Sequence, residues 1–145
     1  MKVEFVNLGQ AGLDLLTAAA RLAAWHHAQG HRALLLAGDQ FQAEEADRAL
    51  WTYAPASFLP HALAGGENQA QEPVLIGLDL ENHNHAQVLI ALAPQEPGLA
   101  ALEGFEHLIE FVPAREGPEL TAARARYKQW QALGVELAHT TRLPG

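Results

Sequence analysis

The hydrophobic pattern changes period three times within the first 53 residues. Over 2–8 apolar positions alternate in part (Val3, Phe5, Val6, Leu8) and the run ends at Gly9 and Gly12, which predicts a strand followed by a turn. Over 13–29 the spacing becomes helical, with Leu15, Ala19, Leu22, Ala23 and His26 on one side, Asp14 placed to cap the start and Gly30 to close the end. Residues 33–37 form a continuous apolar run between Arg32 and Gly38, as expected of a strand buried on both faces. Asp39 then opens a second helix over 41–53. Strand, helix, strand and helix in this order form a βαβα pattern.

Residues 55–71 are loop-like, yet they carry Phe58, Leu59, Pro60, His61 and Leu63 ahead of Gly65 and Gly66. Strands are predicted at 74–78 and 88–93, separated by a tight turn at 81–85, a spacing that admits a hairpin. Prolines at 94 and 97 interrupt the chain, and a short helix at 99–105, a strand at 107–112 and an amphipathic helix at 118–133 follow. Gly134 stops that helix, and 135–145 is left as a short tail. The prediction is a single α/β domain over 1–145, with a mostly parallel central sheet and helices on both faces.

Composition narrows the possibilities. Apolar residues make up 49% of the chain, enough for one sizeable core, and charged residues only 18%. The absence of cysteine removes disulfides, thiol catalysis and cysteine-based metal centres, and fits a reducing cytoplasm. No stretch has the roughly 18 apolar residues of a membrane span, nor does the N-terminus carry a signal core, so a soluble cytoplasmic protein without membrane partners is expected. A net charge of −8 disfavours broad nucleic-acid binding. Of nine Lys and Arg residues, however, Arg115, Arg124, Arg126 and Lys128 fall within 14 positions, which points to one cationic face.

Most of the candidate chemistry is weak. His26 and His27 point to different sides of a helix, His27 and His31 are separated by a helix-ending glycine, and His83 and His85 lack a third ligand of suitable spacing, so no metal is expected. Gly9-Gln10-Ala11-Gly12 lacks the third glycine of a dinucleotide loop, with Asp14 in its place, and neither lysine lies in a phosphate-loop context. A small α/β nucleotide-binding domain or enzyme with degenerate motifs is the alternative reading. Asp79 and Glu81 are close carboxylates, but no nucleophile or oxyanion partner accompanies them. Neither an enzyme nor a cofactor is expected.

Two features carry more. On the last helix Arg124, Tyr127, Lys128 and Gln131 share a face beside an apolar stripe of Leu120, Ala123, Tyr127, Trp130 and Leu133. A cationic pair next to a tyrosine suits a peptide that bears a carboxylate and a large apolar side chain. An ordinary solvated amphipathic face has the same pattern. In the second, Trp51, Tyr53, Phe58, Leu59, Pro60 and Leu63 concentrate aromatic and apolar surface in a Pro- and Gly-bounded stretch that either contacts a partner or plugs the core.

The same stretches resemble a known family. Ala49-Leu50-Trp51 followed by Ala56-Ser57-Phe58-Leu59-Pro60-His61-Ala62-Leu63-Ala64-Gly65, and Glu110-Phe111-Val112-Pro113 followed by Ala123-Arg124-Ala125-Arg126-Tyr127-Lys128, resemble the two characteristic segments of the DNA polymerase III chi subunit, in order and separation. The resemblance covers about 45–65 and 105–135; elsewhere it is architectural. It implies a Rossmann-like three-layer domain without nucleotide or catalysis. It also implies an adaptor that links the clamp loader, through the psi subunit, to the acidic C-terminal tail of single-stranded DNA-binding protein (SSB), with little or no direct nucleic-acid binding. By carry-over, Arg124 and Lys128 take the acidic groups of the tail, and Val112 and Tyr127 wall an apolar pocket. Phe58, with Pro60 and His61 nearby, maps to the psi-facing surface, and Trp51 serves either the core or a partner contact. The chain departs from the family between Pro113 and Arg124, where Gly117-Pro118 is extra, and over 72–93, which lacks an expected basic run.

Overall fold

A computed structural model describes residues 1–54 and 58–144. Chain order is β1 (Lys2–Asn7), α1 (Leu8–Ala11), α2 (Leu15–Ala28), β2 (Ala33–Leu36), α3 (Gln40–Thr52), β3 (Ala62–Leu63), β4 (Val74–Gly77), β5 (Val88–Ala91), β6 (His107–Val112), α4 (Pro118–Ala132) and β7 (Glu136–Thr140), with single 3-10 turns at Gln69–Gln71 and Ala100–Leu102. Side-chain acceptors set the helix starts. Asp14 accepts from the Thr17 amide at 2.8 Å and Asp39 from the Gln42 amide at 2.7 Å, each satisfying an amide that the helix leaves unpaired. Asn7 does the same for α1, accepting from the Gln10 amide at 2.9 Å. No side chain caps α4; Pro118 supplies a φ already suited to its first turn.

The described strands form one seven-stranded sheet in the order β3-β4-β2-β5-β6-β1-β7, with every pairing parallel. Side chains alternate between its faces. Val6, Leu35, Ile76, Ile90 and Ile109 pack with Ala19, Leu22 and Ala23 of α2 and Ala43, Ala46 and Leu50 of α3. Phe5, Leu34, Leu75, Leu89 and Leu108 pack on the other face with Trp130 of α4. The result is the expected Rossmann-like three-layer α/β arrangement. Helix α4 rests on β6 and β7, and Ala86, Leu102 and Phe105, outside the strands, cover more of that face. Among the described residues no helix is long and apolar enough to cross a membrane.

Several local expectations are corrected. The strands at 74–78 and 88–93 do not form a hairpin: β4 and β5 lie parallel on opposite sides of β2. Their unbroken apolar runs suit strands buried on both faces. The connection between them is pinned by the starts of β2 and β4 through buried Asn84, whose side-chain amide donates to the carbonyls of Ala33 at 3.1 Å and Glu72 at 3.0 Å. The helix expected at 99–105 is a single 3-10 turn, too short a stretch between Gly98 and Gly104 to nucleate more. The presumed tail contains β7, an edge strand whose half-exposed, polar sequence lacks the apolar run of the central strands. Within 55–71 lie the two-residue β3 and a 3-10 turn, while residues 55–57, including part of the family motif, are outside the described residues. Leu133, read as part of the apolar stripe, is exposed beyond the last turn of α4.

Candidate functional site: a cleft beside the last helix

Trp130, fully buried, anchors α4 to the sheet and so fixes the faces that its remaining residues present. Between this helix and the β1–β7 side of the sheet opens a cleft of about 350 Å³. Its apolar walls are Phe5, Val112, Leu120, Ala123 and Tyr127, and its polar lining is Asn7, Arg124 and His139. Strand register sets the floor: Asn7 lies opposite Val112 on β6, and Phe5 opposite His139 on β7. The Tyr127 ring meets Phe5 edge-on, with centroids 5.3 Å apart and planes at 70°.

Val112, Arg124 and Tyr127, three of the four residues expected to hold a peptide, therefore line one cleft. Lys128 is exposed one helical turn beyond Arg124, outside the lining. Among the described residues neither Arg124 nor Lys128 makes an ion pair. No carboxylate lines the cleft, although the chain carries 17 acidic residues against nine Lys and Arg. Arg126 is different. Its Nε donates to Glu110 Oε1 at 2.8 Å, and Glu110 is 1% exposed. Burial pushes the Glu110 carboxyl up, and Arg126 opposes this through charge and hydrogen bond. The cationic cluster read from the sequence is thus divided, because Arg126 is committed to the sheet.

Sequence reasoning missed Asn7 and His139. The cleft needs β7 as its outer wall, and β7 had read as tail. An asparagine just before a turn was the available signal for Asn7, as a helix cap.

The second expected cluster lies by α3. Leu59 is buried in the core, which turns Phe58 outward to 71% exposure. Trp51, 53% exposed, lies against Phe58 with centroids 5.8 Å apart and meets His61 edge-on at 4.7 Å. His61 Nδ1 donates to the Leu59 carbonyl at 2.7 Å, and its Nε2 sits 3.1 Å from Asp47. The covered His61 ring is a brace, half-buried Pro60 adjoins it, and Trp51 and Phe58 form the exposed ledge.

The other candidates resolve differently. Asp79, Glu81 and His83 converge within 4.8 Å in an exposed turn, where Asp79 also accepts from the Glu81 amide at 3.0 Å. His26 pairs with His31, Nδ1 to Nδ1 at 3.1 Å, rather than His27 with His31. At the two turns where a phosphate would sit, amides are already taken: Asn7 holds the Gln10 amide, and Gln42 Oε1 accepts from Gly38 at 2.7 Å. Gly9 has a packing reason, since a Cβ there would lie 3.3 Å from Ala114.

Comparison with known proteins agrees with the two motif segments. The family model for the DNA polymerase III chi subunit, HolC, matches residues 1–138. The chain is 34% identical to DNA polymerase III subunit chi of Pseudomonas aeruginosa over 122 residues, covering 84% of this chain and 82% of that one. It is 34% identical to the Haemophilus influenzae subunit chi, over 83% of this chain and 82% of the relative. Identity to the Escherichia coli subunit chi is 31%, over 83% and 80% respectively. A family match across nearly the whole chain, with relatives of one name and similar extent, makes this chain a member of the DNA polymerase III chi subunit family.

Proposed function

We propose that the chain is a non-catalytic adaptor of the replication machinery in the cytoplasm. In this reading the cleft beside α4 holds the acidic C-terminal tail of SSB, and the Trp51–Phe58 ledge, braced by His61 and Pro60, faces the psi subunit of the clamp loader. Arg124 and Lys128 take the acidic groups of the tail, and Val112 and Tyr127 enclose its terminal apolar side chain. The observation that most supports this is the cleft itself. It joins Val112, Arg124 and Tyr127 around an apolar hollow without a carboxylate, in a chain of net charge −8. Such a hollow selects a ligand that is apolar at one end and anionic beside it.

The test is calorimetric titration with a short acidic peptide ending in an aromatic residue with a free carboxylate. Roughly micromolar binding is expected, about −8 kcal/mol, weakening as salt screens the exposed charges. Arg124→Ala and Lys128→Ala each weaken it severalfold. Equal binding by wild type and the double variant contradicts the assignment. In a pull-down from extract, Phe58→Ala is expected to lose clamp-loader subunits and keep SSB.

A further inference from the structure

Helix α4 has a second flank. Leu120, Ala123 and Arg124 face the cleft described above, whereas Ala122 and Arg126 face a separate cavity of about 460 Å³, with which that cleft shares no lining residue. The cavity lies where Leu8 follows β1, Leu92 follows β5 and Phe111 nears the end of β6. These are the carboxyl ends of neighbouring parallel strands. After β1 the chain passes to α2 on one face of the sheet, and after β6 it passes to α4 on the other. Adjacent strands whose connections part in this way leave a crevice between them, the usual place for a ligand in an open α/β sheet. The volume also falls within the range of small-molecule sites, about 300–1,000 Å³.

The lining restricts the chemistry of such a ligand. The wall is apolar at Leu8, Leu15, Leu92 and Phe111, and only Glu110, Glu119 and Arg126 bring charge to it. Glu110 and Arg126 offset each other through the 2.8 Å bond from Nε to Oε1. Of the five N–H bonds of a guanidinium, that bond engages one. The Nη groups of Arg126 have no hydrogen bond or ion pair among the described residues, on a side chain only 13% exposed. Donors so far from bulk water favour an acceptor beside them. That acceptor is not an anion, because Glu110 already offsets the guanidinium and exposed Glu119 adds negative charge. A cation would face the guanidinium itself. Phosphate is further disfavoured, since Asn7 takes the Gln10 amide in the turn after β1. We propose that this cavity binds a compact, uncharged molecule with an apolar body and a carbonyl-type oxygen, the body held between the strand ends and α4 and the oxygen accepting from Arg126. Neither its walls nor its donor belong to the peptide cleft, so the two sites stand or fall separately.

The experiment titrates the isotope-labelled chain with three probes that share one apolar body: 2-indanone, indane and indane-2-carboxylate. Amide shifts report where each binds and how tightly. 2-Indanone is expected to give saturable shifts at Leu8, Ala93, Phe111 and Ala122, and to bind at least fivefold more tightly than either of the others. Ala122→Phe, a change at an exposed helix position that lines the cavity, is expected to fill the hollow and abolish these shifts. Arg126→Lys keeps a positive charge beside Glu110 and removes the Nη groups. It is expected to bind indane like wild type and to lose the preference for the ketone. Circular dichroism checks the fold of both variants, and should Arg126→Lys unfold, Ala122→Phe still decides whether the cavity is the site. Absence of saturable shifts with 2-indanone, shifts at Tyr127 and His139 instead, or binding undiminished in Ala122→Phe overturns the site. Equal binding of ketone and hydrocarbon by wild type, or tighter binding of the carboxylate, overturns the ligand class.

Discussion

Arg124 and Arg126 stand two apart on one helix and serve opposite ends. Arg124 faces the cleft with its charge unpaired among the described residues, whereas Arg126 neutralises a carboxylate sealed against the sheet. Removing one partner of a buried pair leaves an uncompensated charge, so Arg126→Ala is expected to cost about 3–5 kcal/mol of stability. Arg124→Ala, an exposed change, is expected to stay within about 0.5 kcal/mol of wild type. Urea unfolding of both variants checks the contrast, and equal effects would contradict it. The sequence placed both residues in one cationic cluster. Only the strand position of Glu110, and hence its side of the sheet, separates them.

A second residue-scale consequence concerns pH. His26 is buried beside His31 and His107, and burial first, then the neighbouring charges, hold its pKa at about 4. An unfolded histidine titrates near 6.5, so between these values the unfolded chain takes up the proton and the folded chain does not. The stability linked to His26 is thus complete above about pH 6.5 and is lost as pH falls toward 4, by at most about 3 kcal/mol. Chemical unfolding at pH 7.5, 6 and 5 is expected to show a steeper decline for wild type than for His26→Leu. Parallel declines would remove His26 as the cause.

At the scale of elements, the cleft exists because α4 is held at a set height over β1, β6 and β7. Trp130 is its deepest side chain, at 0% exposure. Trp130→Ala is expected to destabilise the chain by about 3–5 kcal/mol and to weaken peptide binding as the helix shifts. Leu133→Ala, at the exposed end, is expected to change neither. Thermal unfolding and peptide titration on the same samples decide it. The elements differed in legibility for a physical reason. Asp14, Asp39, Gly30 and Gly134 mark helix ends by local chemistry, and the apolar runs of β2, β4 and β5 announce burial on both faces. Strand β7 is stabilised by pairing along one side only, so its sequence keeps exposed Glu136 and His139 and carries no apolar run. Its partner, β1, lies more than 120 residues away, and the sequence alone gives no sign of that pairing. With β7 went one wall of the cleft, which is why the helix side of the site was legible and the sheet side was not.

At the scale of the molecule, the two candidate surfaces lie at opposite ends of the strand order. The ledge sits by α3, which packs on β3 and β4, and the cleft sits at β1 and β7 on the other face of the sheet. Six strand spacings of about 4.8 Å put the sheet edges roughly 29 Å apart. On the proposed reading, partners bound at these two surfaces do not contend for the same patch. Substitutions this far apart, with no shared contacts, are expected to act additively.

The most direct test follows amide chemical shifts of the isotope-labelled chain during titration with the acidic, aromatic-terminated peptide. Saturable shifts are expected at Asn7, Val112, the Leu120 to Lys128 stretch and His139, with Trp51 and Phe58 unmoved. Shifts centred on the Trp51–Phe58 ledge, or none that saturate, would contradict the peptide site.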